Sequence, residues 1–545
     1  MPRVSYPRLI CIIAAAAIFT GAPVTSLGQS ATGTETRIDA VFEKWRTSSV
    51  PGCSIAVGVD GKPVLATAYG IADLEHDVRN TPDTVFEAGS VSKQFTAAAV
   101  LLLARDGKLS LDDPVRKYIP ELPDYGAPLT IRHMLNHTSG LRDWGSIAAL
   151  AGWPRTSRVY THAHVLEIVS QQRSLNFVPG SHWSYTNTGY NLAAIMVSRV
   201  SGISFSDFTK RRIFEPLGMT HTSWRDDHTR VVKGRATAYS EQPDGFHTLM
   251  PFENVYGNGG LLTTVVDLLK WNENFVDPKV GDVSFVVQQQ QPGKFNDGRS
   301  LDYAFGLFVG SYKGLREIYH SGTTAGYNAF LSRYPDQHVS VAVLCNATTA
   351  TATQYAHAVA DIYLANHIRT EQRPTAKYTL TETETNLVTG LYRNTETGTP
   401  LAISTSSGTL RSGNVPLIAM SASRFVTAGG STYEIDGKGA RITDALGTVV
   451  RYERVEPVKP TSEQLKEYSG NYVSDEADAS VSVAVEKDSL VLKLRPDTSM
   501  VLTPVYADAF SRQGTIVIFR RDRTGSVTQC SVSQDRVWDL RFQKK

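Results

Sequence analysis

The sequence predicts an α+β fold over its first two thirds, followed by two small antiparallel β-barrel-like domains. Two observations carry this. Between residues 54 and 366 strand-like runs come first, helices follow, strands return, and one helix closes the segment. Early and late strands must then share one antiparallel sheet, with a helical lobe inserted between them. Beyond Glu371-Gln372-Arg373-Pro374-Thr375 the texture changes to short alternating strands punctuated by Gly, Ser and Asp.

Each element has its own signal. Arg3 and Arg8 precede an apolar run, Leu9–Phe19, and small residues Ser26 and Gly28 stand before Gln29. That is the pattern of an export signal over 1–28, with the run too short to span a bilayer. Cys11 lies inside the run after Ile10, which argues against a lipoprotein site. An amphipathic helix is expected at Arg37–Trp45. Residues 54–70 read as a hairpin, because Asp60-Gly61 is a two-residue turn signal between apolar runs. A helix follows at Ser90–Arg105, with Phe95, Ala98, Ala99, Leu102 and Leu103 at three-to-four spacing and Gly107 at its stop. Helices and loops with little strand signal run from there to about residue 275. Strand character returns at 303–310, 316–320, 327–334 and 339–346, and a helix is expected over Thr353–Asn366.

The last segment repeats itself. Gly390-Leu391-Tyr392 is echoed by Gly470-Asn471-Tyr472, Ser423-Arg424-Phe425 by Asp508-Ala509-Phe510, and Val450-Arg451-Tyr452 by Leu540-Arg541-Phe542. The offset drifts from about 80 to about 90 residues, as loop insertions produce. The expected organisation is therefore a leader over 1–28, a hydrolase domain over 29–370, and β modules over 376–457 and 460–545.

Composition excludes several function classes. Lys and Arg total 55 against 53 Asp and Glu, so the net charge is +2, and no basic stripe suggests nucleic acid. No later run is apolar and long enough to predict a membrane span. Cys53, Cys345 and Cys530 are far apart and lack C-x-x-C spacing, which argues against a disulfide scaffold or a cysteine zinc site. At least one is free, and Cys53 and Cys345 in apolar runs read as buried structural thiols. No metal or cofactor is implied.

The chemistry concentrates at Phe86-Glu87-Ala88-Gly89-Ser90-Val91-Ser92-Lys93. Ser90 and Lys93 are three apart at a helix start and so share a face. A serine hydroxyl needs a partner to take its proton, and a lysine can do so once burial lowers its pKa. Ser92 is the rival nucleophile, but it is rotated about 100° from Lys93. Lys93 is the only lysine with Ser three residues before it. A second element is Pro179-Gly180-Ser181-His182-Trp183-Ser184-Tyr185-Thr186-Asn187, in which Tyr185 would shuttle a proton to the leaving group and Asn187 would bind the substrate amide. The third is His320-Ser321-Gly322-Thr323 at a strand end. The N–H of Thr323 would be a second oxyanion donor. Gly322 would let substrate approach the backbone. His320 would orient substrate or add positive charge when protonated.

These three ordered motifs resemble those of the penicillin-recognising serine hydrolases, the group of serine β-lactamases and penicillin-binding proteins. Leu129–Leu141, Phe214–Met219 and Gly257–Asp267 look like further blocks of that family, so the resemblance covers about residues 35–365. It implies a catalytic sheet with a helical lobe and the active site between them. There is no K-T-G or S-D-N; the His-Ser-Gly variant and the two following β modules are similar to D-stereospecific aminopeptidases. The resemblance therefore implies hydrolysis of an amide or ester through an acyl-enzyme on Ser90, in a D-aminopeptidase or D,D-peptidase-like enzyme. The substrate would be a small molecule or peptide, cell-wall-derived or containing D-amino acids. An esterase or β-lactamase using the same residues, and a penicillin-binding protein without turnover, are the alternatives. Location is expected to be periplasmic or secreted.

Overall fold

The computed structural model of the chain describes residues 28–47, 49–369, 374–495 and 497–545. The expected leader, except Gly28, and most of the expected linker at 371–375 lie outside the described residues.

Six antiparallel strands form the central sheet: β1 (Cys53–Val59), β2 (Lys62–Tyr69), β3 (Phe308–Tyr312), β4 (Leu315–Thr324), β5 (Tyr327–Tyr334) and β6 (Val339–Cys345), in the order β3-β4-β5-β6-β1-β2. The first hairpin turns through Asp60 at φ 50 and Gly61 at φ 72. Such a turn, with positive φ at both central residues, matches the twist of the strands. β1 then pairs β6, Ile55 opposite Val343 and Val57 opposite Val341, which closes the two ends of the domain onto each other.

Period-two alternation sorts β1 between two cores. Ile55 and Val57 pack with Ile38, Phe42 and Trp45, from helix α1 (Gly28–Val41) and the 3-10 turn that continues it. Val359 and Ala360 of the C-terminal helix of this domain (Ala352–Tyr363) join the same cluster. Ala56, Leu331, Ala342 and Leu344 face the helical lobe instead. The centre of that lobe is α2 (Ser92–Arg105), where every residue from Ser92 to Leu103 is buried. Where little strand signal was expected, short strands do occur. Phe86–Glu87, Leu261–Thr263 and Ser223–Trp224 make a three-stranded sheet, and Tyr239–Gln242 pairs Gly245–Thr248. These pieces are two to four residues long, too short for an alternation to be read.

One expectation is corrected. Cys53 and Cys345 are not thiols: they lie directly opposite each other on β1 and β6 and form a disulfide across a sequence separation of 292. The pairing depends on the strand register, which spacing along the chain does not reveal. Cys530 is free and buried.

The repeat in the last segment has a structural cause. Each module begins with a threonine-capped helix, Glu382–Val388 or Ser462–Lys466, followed by a Gly-x-Tyr strand. The Tyr392 hydroxyl donates to Val388 O (2.9 Å), the last residue of its helix, and the Tyr472 hydroxyl to Tyr468 O (2.7 Å), in the turn just after its helix, so each tyrosine ties its strand to the preceding helix–strand junction. The second module is a closed barrel of eight strands, its first (Gly470–Ser474) pairing its last (Val537–Lys544). The first is a nine-stranded sheet that nearly closes. Its edges, Val415–Pro416 and Ile418–Ala419, are adjacent in the chain but not hydrogen-bonded. Pro416 has no N–H to offer such a ladder.

The closed barrel docks on the helical lobe through Arg142, whose side chain is 1% exposed. Its guanidinium donates to Gln172 Oε1, Glu476 Oε2, Ser174 Oγ and the carbonyls of Trp538 and Asp539. Ile147 and Leu150 of the lobe join the barrel's own apolar core. Among the described residues no helix is long and apolar enough to cross a membrane.

Candidate active site

The site forms where the start of α2 meets the free edge of β4. Strand β3 begins at Phe308, opposite Tyr319, so residues 320–324 carry a neighbour, β5, on one side only. The turn Gly89–Val91 fills the other side. The approach is very close: a Cβ on Gly89 would lie 2.7 Å from Thr323 N, and one on Gly322 would lie 2.0 Å from Ala88 O and 3.0 Å from Ser90 N. The backbone of 88–90 therefore requires a glycine at 322 in its own right, a reason the sequence reading did not include. The backbones of Ser90 and Thr323 are brought side by side, which is the placement an oxyanion-binding pair needs.

Ser90 is the middle residue of the 3-10 turn Gly89–Val91, which leads directly into α2 at Ser92. Lys93 Nζ is 3.0 Å from Ser90 Oγ, 3.0 Å from Asn187 Oδ1 and 2.8 Å from the Asn258 carbonyl. The Asn258 carbonyl can only accept, and Asn187 Oδ1 accepts in this orientation of its amide, so these two take N–H groups. A neutral amine then has its lone pair left for the Ser90 hydroxyl. Burial above all, with the nearby charge of Arg536 next, holds Lys93 well below the usual lysine range, against the opposing pull of Asp143. Ser92 is otherwise engaged: its hydroxyl donates to Gly89 O (2.6 Å) and accepts from Leu261 N (3.1 Å). It braces the turn and is fully buried.

Tyr185 stands over Lys93, whose Nζ is 4.8 Å from the ring centre. Burial pushes its hydroxyl above the ordinary tyrosine range, with a hydrogen bond to Ser90 opposing, so it remains a neutral phenol near neutral pH. Asn187, at the start of helix α3 (Thr188–Ser201), is oriented by Asp143, whose Oδ2 accepts from the Asn187 N–H (2.8 Å). Its carbonyl is turned to Lys93 as well as to the cleft.

His320 requires a correction. It is 2% exposed, and burial followed by the proximity of Lys93 lowers its pKa to about 3. It is neutral near pH 7 and supplies no positive charge. Nδ1 faces Ser321 O (2.6 Å) and Nε2 faces the Tyr303 hydroxyl (3.2 Å), so a neutral ring with its proton on Nδ1 satisfies both.

Three participants were not singled out from the sequence. His137, at φ 59 and fully buried, packs against Tyr185 with ring centres 4.3 Å apart and planes tilted by 36°, and accepts from Thr186 N. Asp143 caps the helix Trp144–Leu150 while it holds Asn187. Arg536 reaches in from the closed barrel, its guanidinium carbon 5.0 Å from the centre of the Tyr185 ring. The first two lie in or beside a block already marked by its resemblance, but Arg536 has no local signal at all.

Ser90, Tyr185, Asn187, His320, Thr323 and Arg536 line a cleft of about 770 Å³. One group of described side chains, Asp73, Glu75 and His76, is compact enough to hold a metal ion; it sits on an exposed turn and does not line the cleft.

A half-buried serine paired with a buried lysine under a neutral tyrosine, beside two approaching backbones, defines a serine hydrolase site of the penicillin-recognising type. The family model described as Beta-lactamase matches residues 38–364, more than half of the chain, and the protein belongs to that family of serine hydrolases. A D-aminopeptidase of Brucella ovis is 25% identical over 510 residues, covering 88% of this chain and 93% of that protein. A D-aminopeptidase of Brucella anthropi is 30% identical over 300 residues, 54% of this chain and 56% of its own length, so the shared stretch spans little more than half of that relative. The octameric penicillin-binding protein homologue from Pyrococcus abyssi is similar in fold, with a TM-score of 0.54 at 24% identity, over 78% of this chain and all of that one.

Proposed function

We propose that the protein hydrolyses an amide bond next to a D-amino acid, through an acyl-enzyme on Ser90. The observation that carries this is the Lys93 amine, buried, 3.0 Å from Ser90 Oγ, with its other hydrogen-bonding capacity committed to Asn187 and Asn258. Neutral Lys93 takes the Ser90 proton as Oγ bonds to the carbonyl carbon. The oxyanion is held by the N–H groups of Ser90 and Thr323. The Tyr185 hydroxyl hands a proton to the departing nitrogen and recovers one from Lys93, which leaves the ester on Ser90. Water then adds to that ester by the same proton path and releases the acid. Two relatives that are D-aminopeptidases support the amide and the D configuration.

The experiment is a comparison of D-alanyl- and L-alanyl-p-nitroanilide, D-alaninamide, p-nitrophenyl esters and benzylpenicillin, with intact-mass spectrometry of the enzyme in each case. Faster release from the D substrates supports the reading. Hydrolysis of benzylpenicillin with inert anilides would replace it with a β-lactamase, and a lasting penicillin adduct with a penicillin-binding protein without turnover. Hydrolysis confined to p-nitrophenyl esters would make it an esterase.

We also propose export, to the periplasm or beyond the cell. The Cys53–Cys345 disulfide supports it, because such bonds persist in oxidising compartments. Fractionation of cells expressing the full chain tests this: reduced, unprocessed protein in the cytosol would contradict it.

A further inference from the structure

A second cavity lies away from the active site. Its volume is about 170 Å³, and none of its lining residues lines the cleft. Its walls are the hairpin at Gly58 and Gly61, the helix Val265–Glu273 with the turn that follows it, and the junction of β5 and β6 from Arg333 to Ser340. Arg333 stands four residues along β5 from Ala329, the partner of Gly322. At strand rise that is about 13 Å from the catalytic edge.

Leu269, Phe275, Val276, Pro335 and Val339 give the cavity an apolar lining, which Arg333 and Glu273 interrupt. Arg333 is one of three arginines buried among the described residues. The other two have carboxylate partners: Arg142 holds Glu476 (2.6 Å) and Arg225 holds Glu87 (2.8 Å). The Arg333 guanidinium lies 3.6 Å from the centre of the Phe275 ring, and its Nη1 reaches Asn272 Oδ1 only at 3.4 Å. Its Nε and Nη2 have no hydrogen-bonding partner among the described residues. They form the edge with which Arg225 grips Glu87, through Nε (2.8 Å) and Nη2 (3.1 Å). Burial above all, then the charge of Arg316, lowers the Arg333 pKa to about 9, so the group stays charged near neutral pH. A buried charge without a counter-charge is costly. Glu273 is half-buried, and burial raises its pKa against the pull of Lys279 and Lys270.

We propose that this cavity binds a small α-amino acid with an apolar side chain, its carboxylate on the Nε–Nη2 edge of Arg333 and its ammonium group on Glu273. An arginine edge matches a carboxylate with two parallel hydrogen bonds. Benzene fills a cavity of about 150 Å³, so the apolar lining has room for a side chain of phenyl or isobutyl size. A plain carboxylic acid would leave Glu273 unmet, and a plain amine would leave Arg333 unmet. A phosphate would set a second negative charge against Glu273. The site stands apart from the hydrolase reading, since it shares no residue with the cleft.

The test is calorimetric titration of the protein with D- and L-phenylalanine, 3-phenylpropionate and 2-phenylethylamine. At least one enantiomer of phenylalanine is expected to bind, and each analogue about 10- to 100-fold more weakly, the range of hydrogen bonds to a charged group. Arg333→Met is expected to make phenylalanine and phenylethylamine bind alike, and Glu273→Gln to make phenylalanine and phenylpropionate bind alike. Gly58→Val closes the cavity from the other wall with both charges kept. A Cβ there would lie 3.7 Å from Lys62 O and 3.8 Å from Leu269 Cδ2, an ordinary contact, so the added methyls take up cavity space. It is expected to weaken phenylalanine at least about 10-fold. Absence of phenylalanine binding, analogues that bind as tightly, or affinity unchanged in Glu273→Gln and Gly58→Val overturns the proposal; the last result would place the amino acid in the cleft. Anilide turnover is expected to persist in all three variants, and an inactive parent that still binds phenylalanine through Arg333 and Glu273 would sink the hydrolase reading alone.

Discussion

Replacing Arg142 by methionine should separate the closed barrel from the active site. The guanidinium is 1% exposed and makes five hydrogen bonds, three of them to Glu476, Trp538 and Asp539 of the barrel. Methionine fills similar space but leaves the Glu476 carboxylate, 12% exposed, with the Arg173 N–H alone. Breaking a buried ion pair from one side costs roughly 3–5 kcal/mol. At about 1.4 kcal/mol per tenfold, that moves the balance between docked and undocked barrel by about two to three and a half orders of magnitude. Undocking withdraws Arg536, which lowers the Lys93 pKa, and lets water reach Lys93, which is held down by burial. Both changes raise that pKa. The neutral amine then becomes scarcer at a given pH, so the acid limb of kcat/KM moves to higher pH. The assays are a pH profile and trypsin susceptibility of barrel and catalytic domain. An Arg142→Met protein with the parent's proteolysis pattern and an unmoved acid limb would refute the link between docking and catalysis.

Three further outcomes follow from the same geometry. Lys93→Met should keep the fold and lower kcat/KM by about 10²- to 10⁴-fold, the range for loss of a general base, checked by circular dichroism beside kinetics. Gly322→Ala should reduce activity by at least about 10²-fold, because its Cβ would lie 2.0 Å from Ala88 O and push the serine turn off β4; rates near the parent's would show that the strand edge does not set the site. Reduction of Cys53–Cys345 removes a link across 292 residues and should cost about 2–5 kcal/mol of stability, read as a fall in Tm that Cys345→Ala reproduces.

Much of the fold and site was legible in the sequence because it is local. Ser90 and Lys93 share a helix face by spacing alone, and the Asp60-Gly61 turn states its own backbone. The tyrosine repeat marks the two β modules in the sequence itself, since Tyr392 and Tyr472 do the same work at helix–strand junctions. What remained hidden depends on register or on distant docking. The cysteines meet only because β1 and β6 pair with Cys53 opposite Cys345. The neutrality of His320 follows from burial beside Lys93, which a strand pattern does not convey. Arg536 lies hundreds of residues from Tyr185 and looks in sequence like any surface arginine in a β-turn. The role of Gly322 is hidden for a related reason: the atoms that need its missing side chain belong to Ala88 and Ser90.

The central claim is that Ser90 is the residue acylated. Its most direct test is intact-mass and peptide mass spectrometry after exposure to an alkyl fluorophosphonate, on the parent protein and on Ser90→Ala and Ser92→Ala. One adduct on the peptide containing Ser90, absent from Ser90→Ala and present in Ser92→Ala, is the expected result. An adduct that survives in Ser90→Ala, or that maps to Ser92, would contradict the account.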